Sequence, residues 1–170
     1  CQTPLVLSFD RAPIDFAPAT ASFAFDLTGT GASVPTDWPT ARTPWLALDR
    51  DGDGRINGGG ELFGSATMRA DGSLARNGFE ALRALDDNGD GWITSEDSGF
   101  HRLLLWSDRD GDRASSAAEL TPLAARRLLS IELGYTVTPR CDARGNCEVE
   151  RATFRYVDEA GIERTGDIVD

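Results

Sequence analysis

Three short stretches of this chain, beginning at Asp49, Asp86 and Asp108, place side-chain oxygens at alternate positions, and no other feature constrains the fold as strongly. Carboxylates crowded together repel one another unless protons or a cation compensate them, so a chain that repeats the pattern three times is built around cations or is destabilised at neutral pH. The second stretch, residues 86–97, fits a twelve-residue calcium-loop register throughout. Asp86, Asn88 and Asp90 supply side-chain oxygens, Trp92 its backbone carbonyl, Thr94 a direct or water-mediated contact, and Asp97 the closing carboxylate. Gly91 takes the sharp turn and Ile93 points into the core. Asp97 is one methylene shorter than the usual Glu, which shortens its reach.

The first stretch has Asp49, Asp51 and Asp53 in register, Arg55 at the carbonyl position and Asn57 in ninth place, but Gly60 stands twelfth and Glu61 thirteenth. The glycines at 58, 59 and 60 give the backbone freedom to absorb that extra residue, so that Glu61 still reaches the ion. The third stretch has Asp108, Asp110 and Asp112, then Ala114 at the carbonyl position and Glu119 in twelfth place. Arg113 stands where glycine is expected; a non-glycine residue at positive φ costs about 1–3 kcal/mol. A competing reading makes Glu119 with Ser116, and likewise Glu61, caps of helices that follow, because Ser-x-x-Glu is a capping box. Capping and ligation are compatible across one turn.

Ile56 and Ile93 share the eighth loop position, and the 37-residue spacing of Asp49 and Asp86 suits paired helix-loop-helix units, so the two isoleucines are expected to meet in a short antiparallel bridge. Ser115 holds that position in the third loop, which is expected not to pair this way. Helical spacing in Phe79-Leu82-Leu85, Phe100-Leu103-Leu104 and Leu120-Leu123-Leu128 predicts three short helices between the loops. Period-two alternation predicts two amino-terminal strands, through Leu5-Leu7-Phe9 and Phe23-Phe25-Leu27, with an irregular connection over residues 28–43 that carries Trp38. A three-stranded meander is expected after Ser130, through Ile131-Leu133-Tyr135-Val137, Phe154-Tyr156 and Ile168-Val169. The fold class expected is α+β, a helix-loop-helix core with three acidic loops flanked by antiparallel strands. A length of 170 residues suits one domain, divided into residues 4–44, 45–129 and 130–170.

Composition removes several classes of function. Twenty-eight acidic residues stand against 17 basic ones, a net charge of −11, which argues against binding a nucleic-acid backbone. No apolar run approaches the roughly 18 residues of a membrane-spanning helix. Cys141 and Cys147 flank a turn-rich stretch between strand-like runs and read as a hairpin disulfide, which implies an oxidising compartment, secreted or in the cell envelope. Cys1 is left over; a lipid-bearing first residue, an arbitrary chain start and another disulfide pairing are all open. His101 is the single histidine, and no nucleophile and base are arranged for catalysis, so a non-enzymatic role is expected.

The order Trp45-Leu46-Ala47-Leu48-Asp49 through Glu61-Leu62-Phe63-Gly64, then Asn77-Gly78-Phe79-Glu80-Ala81-Leu82, then Leu105-Trp106-Ser107-Asp108 and Glu119-Leu120, resembles the EF-hand-like calcium-binding modules of large secreted bacterial proteins of haemolysin and adhesin type with repeats-in-toxin segments. The resemblance covers residues 4–135 and is strongest over 45–121. It implies calcium ligation at Asp49, Asp51, Asp53, Asn57 and Glu61, at Asp86, Asn88, Asp90, Thr94 and Asp97, and at Asp108, Asp110, Asp112 and Glu119. The function implied is an extracellular structural or adhesion module holding two or three calcium ions within a parent assembly. The alternative is a dockerin-like module that recognises a protein partner through calcium-ordered helices, suggested by the loop closing on Asp97.

Overall fold

The computed structural model describes residues 4–170, and most of its regular structure is strand. The strands are β1 (Val6–Ser8), β2 (Phe16–Ala17), β3 (Trp38–Pro39), β4 (Trp45–Ala47), β5 (Trp92–Thr94), β6 (Leu104–Trp106), β7 (Leu120–Pro122), β8 (Leu128–Glu132), β9 (Thr136–Cys141), β10 (Cys147–Val157) and β11 (Glu163–Val169). Among the described residues there is one α-helix, α1 (Gly78–Leu82), which a 3-10 turn continues over Arg83–Leu85. Asn77 caps it by accepting the amide of Glu80 at 2.8 Å. Two further 3-10 turns cover Gly59–Glu61 and Phe100–Arg102. Cys1, whose lipidation or pairing the sequence left open, lies outside the described residues.

Nine strands form one antiparallel sheet in the order β5-β8-β10-β11-β1-β4-β6-β7, with β9 alongside β10, while β2 and β3 make a separate ribbon. Residues facing one another across β1, β4, β6 and β11 share a side of the sheet. Leu7 opposes Ile168 and Leu46 opposes Leu105, while Val6 opposes both Val169 and Trp45, and Trp45 opposes Trp106. The first set joins Leu5, Phe63, Phe79, Leu82, Ile93, Ile131 and Phe154 in one core. The second set joins Ile14, Phe25, Trp38, Ile56 and Leu62 in another. The sheet is therefore buried on both faces at its centre, and every residue of β1 and β4 is buried. In the second core the Trp38 ring lies 5.1 Å from Trp45, 5.4 Å from Trp106 and 5.2 Å from Phe25. Each such aromatic pair contributes about 0.5–1.5 kcal/mol beyond its buried area.

This architecture corrects the helix-loop-helix core and the α+β class. Of three expected helices only residues 78–82 are α-helical. Phe100 lies in a 3-10 turn, Leu104 begins β6, Leu120 begins β7 and Leu128 begins β8. A short apolar run such as Leu103-Leu104-Leu105-Trp106 carries no usable period when both faces of the strand are covered, so its spacing mimics a helix. The Phe23-Phe25-Leu27 run forms only an isolated bridge between Phe25 and Val34, and the stretch read as an irregular connection contains β3. The carboxy-terminal region has four strands rather than three, with β10 between β8 and β11 and carrying β9 as well. With one five-residue α-helix among the described residues, the calcium-ordered helices invoked for a dockerin-like module have no counterpart.

Candidate metal centres

Loops one and three follow strands β4 and β6, and loop two follows the 3-10 continuation of α1, yet each folds on the same internal frame. The first-position carboxylate accepts two loop amides: Asp49 from Gly52 (2.7 Å) and Gly54 (2.9 Å), Asp86 from Gly89 (2.8 Å) and Gly91 (3.0 Å), Asp108 from Gly111 (2.8 Å) and Arg113 (3.0 Å). The third-position oxygen accepts the fifth amide, Asp51 from Asp53, Asn88 from Asp90, and Asp110 from Asp112. The fifth-position carboxylate accepts the seventh amide, Asp53 from Arg55, Asp90 from Trp92, and Asp112 from Ala114.

The closing carboxylate ties the two ends of each loop together. Glu61 accepts Arg50 N at 3.1 Å and Asn57 N at 2.7 Å. Asp97 accepts Asp87 N at 2.9 Å and Thr94 N at 2.8 Å. Glu119 accepts Arg109 N at 2.7 Å and Ser116 N at 3.1 Å. Glu61 in thirteenth place thus occupies the position that Asp97 and Glu119 take in twelfth place. The 3-10 turn at Gly59–Glu61 accommodates the additional residue. Its glycines serve packing as well: a Cβ on Gly59 would stand 1.8 Å from the carbonyl oxygen of Leu27. Neither Glu61 nor Glu119 caps a helix, since Glu61 ends that turn and β7 starts directly after Glu119.

An ionised carboxylate offers about four lone-pair directions, so these amide contacts leave acceptor capacity for a cation. In the first loop, oxygens of Asp49, Asp51 and Glu61 gather within 4.8 Å of one another, and in the third those of Asp108, Asp110 and Asp112 do the same. The second loop, the best match by sequence, forms no such group of three carboxylates among the described residues; Asn88 takes the place of one acid. Asn57 donates its side-chain NH2 to Asp53 at 2.6 Å, which leaves its carbonyl oxygen for a ligand. Burial, and then the charges of Glu119 and Asp112, push the Asp108 carboxyl above its ordinary value against the pull of its two amide donors. All-oxygen donor sets of this kind fit calcium, which takes 6–8 hard oxygen ligands.

Arg113 has φ of 60°, so the third loop makes its sharp turn without glycine. Its side chain, 5% exposed, donates to the carbonyl of Phe23 and lies 5.6 Å from the Trp38 ring, which offsets the backbone cost by anchoring the loop to the second core. The expected bridge between Ile56 and Ile93 does not form. The Ile56 amide donates to Ser115 Oγ at 2.6 Å, so loops one and three are the neighbours, and residues 53–55 face Asp112 and residues 114–117 across a cleft. Ile93 pairs instead with Ile131 on β8. Ser115, set aside on sequence grounds, was legible only as an eighth-position residue able to bond a backbone amide. His101 is exposed, at a 3-10 turn.

The SPM domain model matches residues 5–169, and the chain belongs to the SPM domain family. It is 35% identical over 157 residues, 91% of its length, to Iron-regulated protein FrpA of Neisseria meningitidis serogroup C, and the match spans 14% of that protein. Membership of this family, together with the sheet, replaces the EF-hand-like module that the loops resemble. The cysteines at 141 and 147 are disulfide-bonded, and no helix of the described residues is long and apolar enough to cross a membrane.

Proposed function

We propose that this SPM domain is a structural module completed by calcium ions held in its three acidic loops, working outside the cytoplasm within a larger protein. The observation that carries the reading is the frame shared by all three loops, in which first and closing carboxylates are fixed by backbone amides and keep oxygen lone pairs free. Asp49, Asp51, Asp53, Asn57 and Glu61, with the Arg55 carbonyl, would hold one ion. Asp86, Asn88, Asp90, Thr94 and Asp97, with the Trp92 carbonyl, would hold a second. Asp108, Asp110, Asp112 and Glu119, with the Ala114 carbonyl, would hold a third. The Cys141–Cys147 disulfide favours an oxidising compartment. At free calcium 100 times the dissociation constant, each occupied site adds about 2.7 kcal/mol, a large part of a domain's usual 5–15 kcal/mol.

Terbium luminescence tests the reading at one loop. Trp92 lies at the carbonyl position of loop two, so its indole sensitises terbium bound there. Excitation of the wild type is expected to give emission that calcium displaces and that Trp92→Phe weakens. No emission, or emission indifferent to both changes, together with a melting temperature that calcium leaves unshifted, would remove the proposal.

A further inference from the structure

The hairpin of β9 and β10 ends in residues 142–146, closed by the disulfide between Cys141 and Cys147, which face one another as a cross-strand pair. Every residue of β9 is exposed, and Cys147 is only partly covered, so the cystine is open to reagents in solution. Its loop is nevertheless engaged far away in sequence. Arg144 donates from Nε to Asp37 Oδ2 at 2.6 Å and from Nη2 to the Phe16 carbonyl at 2.7 Å. Asn146 donates from Nδ2 to the same Asp37 oxygen at 2.7 Å. The other oxygen of Asp37 accepts the Ala19 amide at 2.8 Å, and the next residue, Trp38, is the aromatic ring common to the contacts with Phe25, Trp45 and Trp106. Further along β10, Glu148 accepts the Ile14 amide at 2.7 Å.

Residues 14–39 are held by these contacts at their two ends and, between them, by Phe25 in the second core, by Arg113 on the Phe23 carbonyl and by the Gly59 amide on the Asp26 carbonyl. Their own regular structure is the two-residue ribbon of β2 and β3 and the bridge between Phe25 and Val34. A two-stranded ribbon of this size has little independent stability. The hairpin end is held by few ladder bonds besides the disulfide: β9 is on the edge, Pro139 donates no amide, and the register shifts between Glu148 and Glu150. The loop itself is ordered by Asp142, which accepts the amides of Arg144 at 2.8 Å and Asn146 at 3.0 Å.

We propose that the Cys141–Cys147 disulfide is a redox latch holding residues 14–39 over the aromatic core through Arg144, Asn146 and Asp37. A dithiol reductant supplies two electrons and two protons; the S–S bond breaks, Cys141 and Cys147 become thiols, and the reductant becomes a disulfide. The freed loop gains conformational entropy, Asp37 loses its two side-chain donors, Arg144 and Asn146, and residues 14–39 open while the nine-stranded sheet persists.

Amide hydrogen exchange followed by mass spectrometry tests the latch in a Cys1→Ser background with calcium present throughout, comparing oxidised protein with protein treated with dithiothreitol. Reduction is expected to speed exchange by roughly tenfold or more in peptides covering residues 14–19 and 37–40, with under about twofold change in β1, β4, β6 and β11. The Arg144→Ala/Asn146→Ala variant, left oxidised, is expected to show the same local rise, which reads the latch without touching the cysteines. No change on reduction, an equal rise across the sheet, or an oxidised double variant that exchanges like wild type would each overturn the proposal.

Discussion

Loops one and three differ from loop two less in chemistry than in what stands behind them. Loop one follows β4, and loop three follows β6, its direct antiparallel neighbour; the two touch through Ile56 and Ser115, and both rest on the tryptophan core through Ile56 and Arg113. Loop two leads into β5 at the other end of the sheet, where Ile93 packs in the core that contains Ile131 and Phe154. The loop with the most regular register is thus the one without a neighbouring loop, anchored by β5 on the sheet, and the loop with the irregular Arg113 is anchored by its own side chain on the tryptophan core. Agreement with a ligand pattern describes what a loop can bind; the residues between the ligands decide what it is mechanically joined to.

The contrast can be broken most forcefully at Trp106, which is fully buried between Phe25, Trp38 and Trp45. Trp106→Ala is expected to cost about 3–5 kcal/mol in chemical denaturation and to weaken calcium binding at loops one and three while terbium emission through Trp92 persists. Equal loss at all three loops would mean that the two halves are not separable. Gly59→Ala comes next, because its Cβ must displace the Leu27 backbone; a loss of about 1–3 kcal/mol is expected, with loop one affected before loop two. Ser115→Ala leaves the buried Ile56 amide without its partner, which costs about 1–3 kcal/mol and should make the affinities of loops one and three change together in calorimetry.

The smallest effect is the pH dependence of Asp37. The hydrogen bond from Asn146, with those from the Ala19 amide and Arg144, holds its carboxyl below the ordinary 3.8 against the opposing effect of burial. A lowered folded-state value means that the charged form is favoured by folding. Its stabilisation is complete above about pH 4 and is lost as pH falls through the folded-state value. Acid is therefore expected to release residues 14–39, beside the half of the molecule that carries loops one and three, and Asp37→Asn should flatten that part of an acid titration followed by tryptophan fluorescence.

Much of this was legible in the residues. The loop boundaries, the hairpin disulfide and β1 follow from local spacing, because Asp, Gly and Cys at fixed offsets carry their own geometric reasons. The helical spacing around Phe100-Leu103-Leu104 misleads because that run enters β6, where cover on both sides erases the alternation that marks a strand, and Leu120 begins a three-residue edge strand too short to show a period. The partnership of Ile56 with Ser115 was out of reach for a different reason: it joins residues 59 apart and depends on β4 lying beside β6, which no local pattern encodes. Arg113 shows the same limit, since its cost is visible locally and its compensation, Phe23 and Trp38, is far away in sequence.

The most direct test of the central claim is a calorimetric titration of calcium into chelator-stripped protein, with Glu61→Gln, Asp97→Asn and Glu119→Gln titrated alongside. Three ions are expected for the wild type, each substitution removes or sharply weakens one of them, and the melting temperature rises with occupancy. No binding heat, with a melting temperature that millimolar calcium leaves unchanged, would contradict the account.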